Sequence, residues 1–114
     1  MIEQKLEYKR GLPERDAYEG ELVSCDLEMF SQQEGRLHRP HGTFACLAVT
    51  YENGPQPGVR TNCLIEDVHD LRELFRRIHL GKWVFHNAAY DIRQLRRFVD
   101  IPQREVWDTM LIEA

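Results

Sequence analysis

No stretch of this chain is long and apolar enough to cross a bilayer, and no basic stretch followed by an apolar run marks a secretory leader. Cysteine is sparse and unpaired in pattern: Cys25, Cys46 and Cys63 fall in apolar runs and form no Cys-x-x-Cys spacing. An odd number of such residues excludes a disulfide framework and argues for small buried hydrophobes in a reducing, cytoplasmic setting. A basic excess is missing too, since 15 Lys and Arg face 19 Asp and Glu for a formal charge of −4. That balance excludes a protein that holds duplex nucleic acid mainly by neutralising phosphates. It leaves room for a metal-dependent enzyme, because bound divalent ions reverse the local field where an anionic substrate sits.

The 114 residues, 42% of them hydrophobic, suffice for one core and one domain. Residues 1–20 are dense in charge and interrupted by Gly11 and Pro13, which predicts a flexible polar lead-in or linker before a domain over residues 21–114. A strand is expected over about 22–27. A polar loop over 31–43, with Gly35, Pro40 and Gly42, follows it, and then an apolar strand from Phe44 to Tyr51. Dense turn chemistry at 52–58 returns the chain as an antiparallel strand over 59–65. Asp67 is placed to cap a helix whose Val68, Leu71, Leu74, Phe75 and Ile78 form one stripe, ended by Gly81. A fourth strand over 83–86, a second helix over 89–99 and a short strand over 106–109 complete a β-β-β-α-β-α-β order. This predicts an α/β domain with a mixed sheet.

The chemistry concentrates in two segments. Asp26 and Glu28 form an Asp-x-Glu pair at the end of the first strand. Residues i and i+2 of a strand point the same way at roughly 6.6 Å spacing, so both carboxylates can face one ion or an ion pair. Far downstream, His86-Asn87-Ala88-Ala89-Tyr90-Asp91 leaves a short apolar run and enters a helical pattern of Ile92, Leu95, Phe98 and Val99, which puts Asp91 in a helix first turn. If the two strands are neighbours in one sheet, three carboxylates converge as a hydrolytic metal centre.

These two segments resemble the first and second motifs of the DEDD 3′-to-5′ exonucleases, the superfamily of polymerase proofreading domains and RNase D. Trp107-Asp108-Thr109-Met110-Leu111 is similar to the Asp-Thr-Met-Leu stretch that follows the second motif in family-A polymerase proofreading domains, where its aspartate is not a metal ligand. The resemblance covers residues 21–114. It implies a ribonuclease H-like five-stranded sheet of order 3-2-1-4-5 with flanking helices, in which the first and fourth strands are neighbours. It also implies two-metal hydrolysis of phosphodiester bonds at a 3′ end with Mg²⁺ or Mn²⁺ on hard oxygen ligands. Asp26 would bridge both ions, Glu28 would bind the ion that activates water, and Asp91 would support the other. The implied partners are a single-stranded DNA 3′ end, with RNA open, and a polymerase domain on a longer parent chain.

The family's third motif, a Tyr or His followed by a fourth acidic residue, is not present, nor are the C-terminal helices that bear it. The isolated chain is therefore expected to be an incomplete exonuclease with little turnover. Two other readings stand beside it: an RNase D-like RNA exonuclease, and a non-catalytic ribonuclease H-like module that binds nucleic acid.

Other residues have competing roles. Asn87 is a candidate for substrate contact or for holding the turn, and Phe30, Leu37 and Phe44 are candidates for stacking on terminal bases or for the core. His86 is read as structural before general base, Tyr90 as packing, and Asp108 as a helix cap. Arg72, Arg76, Arg77, Lys82, Arg93, Arg96 and Arg97 are read as solvated helix faces before phosphate contacts. His38 and His41 lack the partners of a zinc site.

Overall fold

The computed structural model describes residues 8–30, 43–52 and 60–109. The expected loop at 31–42, most of the turn at 52–58, and with them Leu37, His38 and His41, lie outside the described residues. The elements are β1 (Lys9–Arg10), β2 (Leu22–Phe30), β3 (Thr43–Tyr51), β4 (Thr61–Ile65), α1 (Val68–Arg77), β5 (Lys82–Phe85), α2 (Ala88–Leu95) and β6 (Val106–Asp108). They form a mixed α/β domain around one six-stranded sheet of order β1-β4-β3-β2-β5-β6. The β3 pairings with β2 and β4 are antiparallel, while β1–β4, β2–β5 and β5–β6 are parallel.

This differs from the expected five-stranded sheet by an edge strand drawn from the polar lead-in. Lys9 and Arg10 pair with Cys63 and Leu64 of β4. Behind them, Pro13 is fully buried and Ala17 is 3% exposed in the core. The Ala17 N–H donates to the Arg77 carbonyl at 2.8 Å. Residues 8–20 are thus part of the packed domain. The cause is a buried charge: Glu21, 3% exposed, accepts two hydrogen bonds from the Arg15 guanidinium (2.7 and 2.8 Å) and one from the Tyr18 N–H (3.0 Å). Arg15 also lies over the Tyr18 and Tyr51 rings, 4.4 and 4.8 Å from their centroids. A bidentate partner and two aromatic faces offset the desolvation that a buried carboxylate would otherwise suffer.

Alternation along the strands builds the core on one face. Val23, Cys25 and Leu27 of β2 align with Tyr51, Val49 and Leu47 of β3, and Val23 and Cys25 align with Trp83 and Phe85 of β5. Both helices pack on that face, where Leu71, Leu74, Phe75 and Ile78 join Ile92, Leu95 and Val99 in one cluster with these strand residues. Phe75 packs on Trp83, and the Trp83 indole N–H donates to the Ile78 carbonyl at 2.8 Å, so the largest buried side chain keeps its polar group satisfied. Asp67 caps α1 as expected, accepting from the His69 N–H at 2.6 Å. Gly81 is required by space: a Cβ there would stand 2.7 Å from Val23 Cγ2 and 3.0 Å from the Glu21 carbonyl oxygen.

The opposite face carries Ser24, Asp26 and Glu28 on β2, aligned with Thr50, Ala48 and Cys46 on β3. Among the described residues no helix covers it. No helix among them is long and apolar enough to cross a membrane.

Candidate metal centre

The parallel register of β2 and β5 sets the site. Pairing runs from Leu22↔Lys82 to Cys25↔Phe85 and stops there. At that point β5 turns through His86 and Asn87 into α2, whose first turn holds Asp91, while β2 continues to Asp26. Asp91 is 7% exposed and Asp26 is exposed. The two are electrostatically coupled. Burial first, then the negative charges of Asp26 and Asp108, push the Asp91 carboxyl up to about 6, against a smaller downward pull from His86. The Cys25 thiol, buried beneath the pair, is pushed up by burial and by the charges of Asp91 and Asp26.

Glu28 shares the uncovered face of β2 with Asp26. It aligns with Cys46, and the β2–β3 ladder then skips Ala45 so that Met29 aligns with Phe44. Burial and the charges of Glu28, Glu66 and Asp26 raise the Cys46 thiol, with Glu28 directly across from Cys46 in the ladder and Glu66 in an ion pair with Arg10 at 3.5 Å. Asp26 lies between these two acidic neighbourhoods. Among the described residues, no three His, Cys, Asp or Glu side chains come together as a ready-made metal site. Of the three carboxylates expected to converge, Asp26 acts electrostatically on Asp91, and the three do not form one group. The Asp26–Asp91 pair fits a hard divalent cation chemically: both supply carboxylate oxygen, and their mutual repulsion is relieved by positive charge.

The remaining candidates separate clearly. Asn87 is exposed at the N-cap of α2, and its side chain makes no capping hydrogen bond. Asp108 supplies the cap from β6, its Oδ2 accepting from the Ala88 N–H at 2.9 Å. The aspartate expected to cap a helix does so, on the helix before it in sequence. His86 Nδ1 and Thr109 Oγ1 are hydrogen-bonded at 2.8 Å, which fits the structural role. Tyr90 is 47% exposed, so the packing role expected for it is not found, because α2 turns its Ile92 and Leu95 side inward and leaves Tyr90 outside. Phe30 is half-buried at the end of β2, aligned with Thr43. Phe44 is in the core, its ring 5.9 Å from that of Phe98.

Arg76 and Arg77 are engaged by Glu73, and Arg77 also donates to the Pro13 carbonyl. Arg72, Arg93 and Arg96 lie exposed on the helices. Glu66 and the Thr109 bond to His86 are features that sequence reasoning passed over. Glu66 follows Ile65 by one residue, and alternation alone would have put it on the uncovered face.

No protein-family model, no curated protein and no solved structure matches this chain.

Proposed function

We propose that this chain is the metal-binding part of a 3′-to-5′ exonuclease domain of the DEDD type, with a ribonuclease H-like sheet, acting on single-stranded 3′ ends. One observation carries the reading: the β2–β5 register sets Asp26 beside the first turn of α2, where the negative charge of Asp26 helps hold Asp91 near a pKa of about 6. A buried carboxylate whose pKa is raised beside a second acid is a pattern common at functional sites, and it supports the reading. Mg²⁺ or Mn²⁺ bound there would neutralise phosphate charge and generate a nucleophilic water. Asp26 and Asp91 would hold the cation. Glu28, two residues along the same strand face, would extend the acidic surface towards the attacking side, and exposed Asn87 and half-buried Phe30 would be the residues to contact a terminal nucleotide. In the hydrolysis, the water oxygen bonds to phosphorus while the bond from phosphorus to the upstream 3′ oxygen breaks. A 5′-mononucleotide leaves, and the proton goes to the new 3′ hydroxyl. DNA is the first choice of substrate, with RNA the alternative.

The separation of Glu28 from Asp91 favours a second reading, a ribonuclease H-like module that binds nucleic acid without turnover. Thermal denaturation with Mn²⁺ or Mg²⁺, beside the shortening of 5′-labelled DNA and RNA oligonucleotides, distinguishes the two. The exonuclease reading expects cation stabilisation of about 2.7 kcal/mol at a hundredfold excess over Kd, lost in Asp26→Ala, with little trimming by these 114 residues alone and Asp26-dependent trimming by a longer chain that carries the third motif. Equal shifts in both proteins would remove the metal-centre assignment. A cation shift with oligonucleotide binding but no trimming, even by the longer chain that carries the third motif, would select the binding module.

A further inference from the structure

The Trp107-Asp108-Thr109 segment has no part in the chemistry above, yet it makes two contacts with the turn that launches α2. Asp108 Oδ2 accepts from the Ala88 N–H at 2.9 Å, and Thr109 Oγ1 bonds His86 Nδ1 at 2.8 Å. The two bonds fasten the turn on either side of Asn87, whose own side chain leaves the helix start uncapped. The first backbone bond of the helix, from the Asp91 N–H to the Asn87 carbonyl at 2.9 Å, begins inside that turn. The position of the Asp91 carboxylate therefore depends on where the turn is held. An ionised acceptor at the first N–H groups of a helix is stabilised by both the hydrogen bond and the helix dipole.

We propose that Asp108 and Thr109 form a strap that positions Asp91: two side chains of β6 and its C-terminal neighbour fix the β5–α2 turn, and so hold Asp91 against Asp26. Both are positioning residues, acting through the turn and not on substrate. Their functional consequence rests on the metal-centre reading, whereas the strap itself does not. Outer residues that orient a metal-binding side chain commonly matter tenfold to a hundredfold in metal affinity.

The test uses the full chain and three variants, Asp108→Ala, Asp108→Asn and Thr109→Val. Amide exchange by NMR and Mn²⁺ affinity by electron paramagnetic resonance are the two readouts. In Asp108→Ala, exchange at Ala88 and Asp91 is expected to accelerate at least tenfold while amides of β3 and α1 keep their protection. Mn²⁺ affinity should fall at least tenfold. Asp108→Asn keeps an oxygen acceptor and should restore the Ala88 and Asp91 protection, and Thr109→Val should give a smaller loss at the same amides. Unchanged protection at Ala88 and Asp91 in Asp108→Ala, or loss spread evenly through the sheet, overturns the strap, as does failure of Asp108→Asn to restore it. If the parent protein binds no Mn²⁺ while the exchange pattern follows expectation, the strap stands and the metal-centre reading falls.

Discussion

The two faces of the sheet are built by the same strands and solve opposite problems. On the helix-covered face, Val23, Leu47, Tyr51, Ile65 and Trp83 are at most 1% exposed, and cysteines fill the spaces between larger groups. On the other face, the same strands present Ser24, Asp26, Glu28, Cys46, Thr50 and Asn62, with a Thr50 Oγ1 to Asn62 Oδ1 bond of 2.9 Å and a Ser24 Oγ to Glu52 bond of 3.2 Å. One face gives up solvation to create an apolar interior, and the other keeps its polar and acidic groups within reach of water. Stability and chemistry are thus separated by a period of two along β2. A one-residue slip of that strand would exchange Asp26 for Cys25 and destroy both.

The largest effect should come from the covered face. Leu47→Ala, at a fully buried position, should cost about 2–5 kcal/mol in urea denaturation, because the surrounding β2, β4 and helix side chains cannot close the cavity. A cost near that of an exposed substitution would mean that the two faces are not energetically distinct.

Next comes the one acid that is buried at the candidate site. Asp91 has a folded-state pKa raised to about 6, so the native state binds its proton more tightly than the unfolded chain does. The penalty is fully present above that value and is relieved as pH falls from 7 towards 4, on the order of 2–3 kcal/mol. Denaturation at pH 5 and pH 7 should show greater stability at the lower pH from this group. Asp91→Asn should flatten that part of the profile and gain stability at pH 7. An unchanged profile in Asp91→Asn would show that Asp91 is not the coupled group.

The smallest effect belongs to the uncovered face. Thr50→Val removes one half-buried hydrogen bond while keeping shape and strand preference, and should change stability by about 0.5–1.5 kcal/mol in the same measurement. A loss as large as that of Leu47→Ala would place Thr50 under a covering element and collapse the contrast.

What the sequence made legible was whatever rests on local periodicity. The α1 stripe, its Asp67 cap, the alternation along β2 and β3 and the helix start near Asp91 all follow from neighbours a few residues apart. The pairs that escaped notice are set by distant partners. The edge strand at Lys9 and Arg10 has only two residues and no period, and it exists because β4 offers an unpaired edge. Glu21 is indistinguishable in sequence from any other lead-in charge until Arg15 folds onto it. Glu28 shares a strand face with Asp26, whereas Asp91 is delivered by the turn beyond β5, and the alternation along β2 carries no information about that second element. Asp108 and the Ala88 N–H it caps are 20 positions apart.

The β2–β5 pairing also fixes when the site can come into being. Cys25 and Phe85 are about 60 residues apart, and joining them directly in an open chain would carry a heavy loop-closure cost. The β2–β3 and β3–β4 ladders are far more local, and α1 then brings β5 back across the sheet. Parallel pairing of this reach is the slow, high-contact-order part of a folding reaction. On this topology Asp26 and Asp91 are expected to meet after the β2–β3 and β3–β4 pairs form, so that their repulsion would fall on the unfolding rate and not on the folding rate.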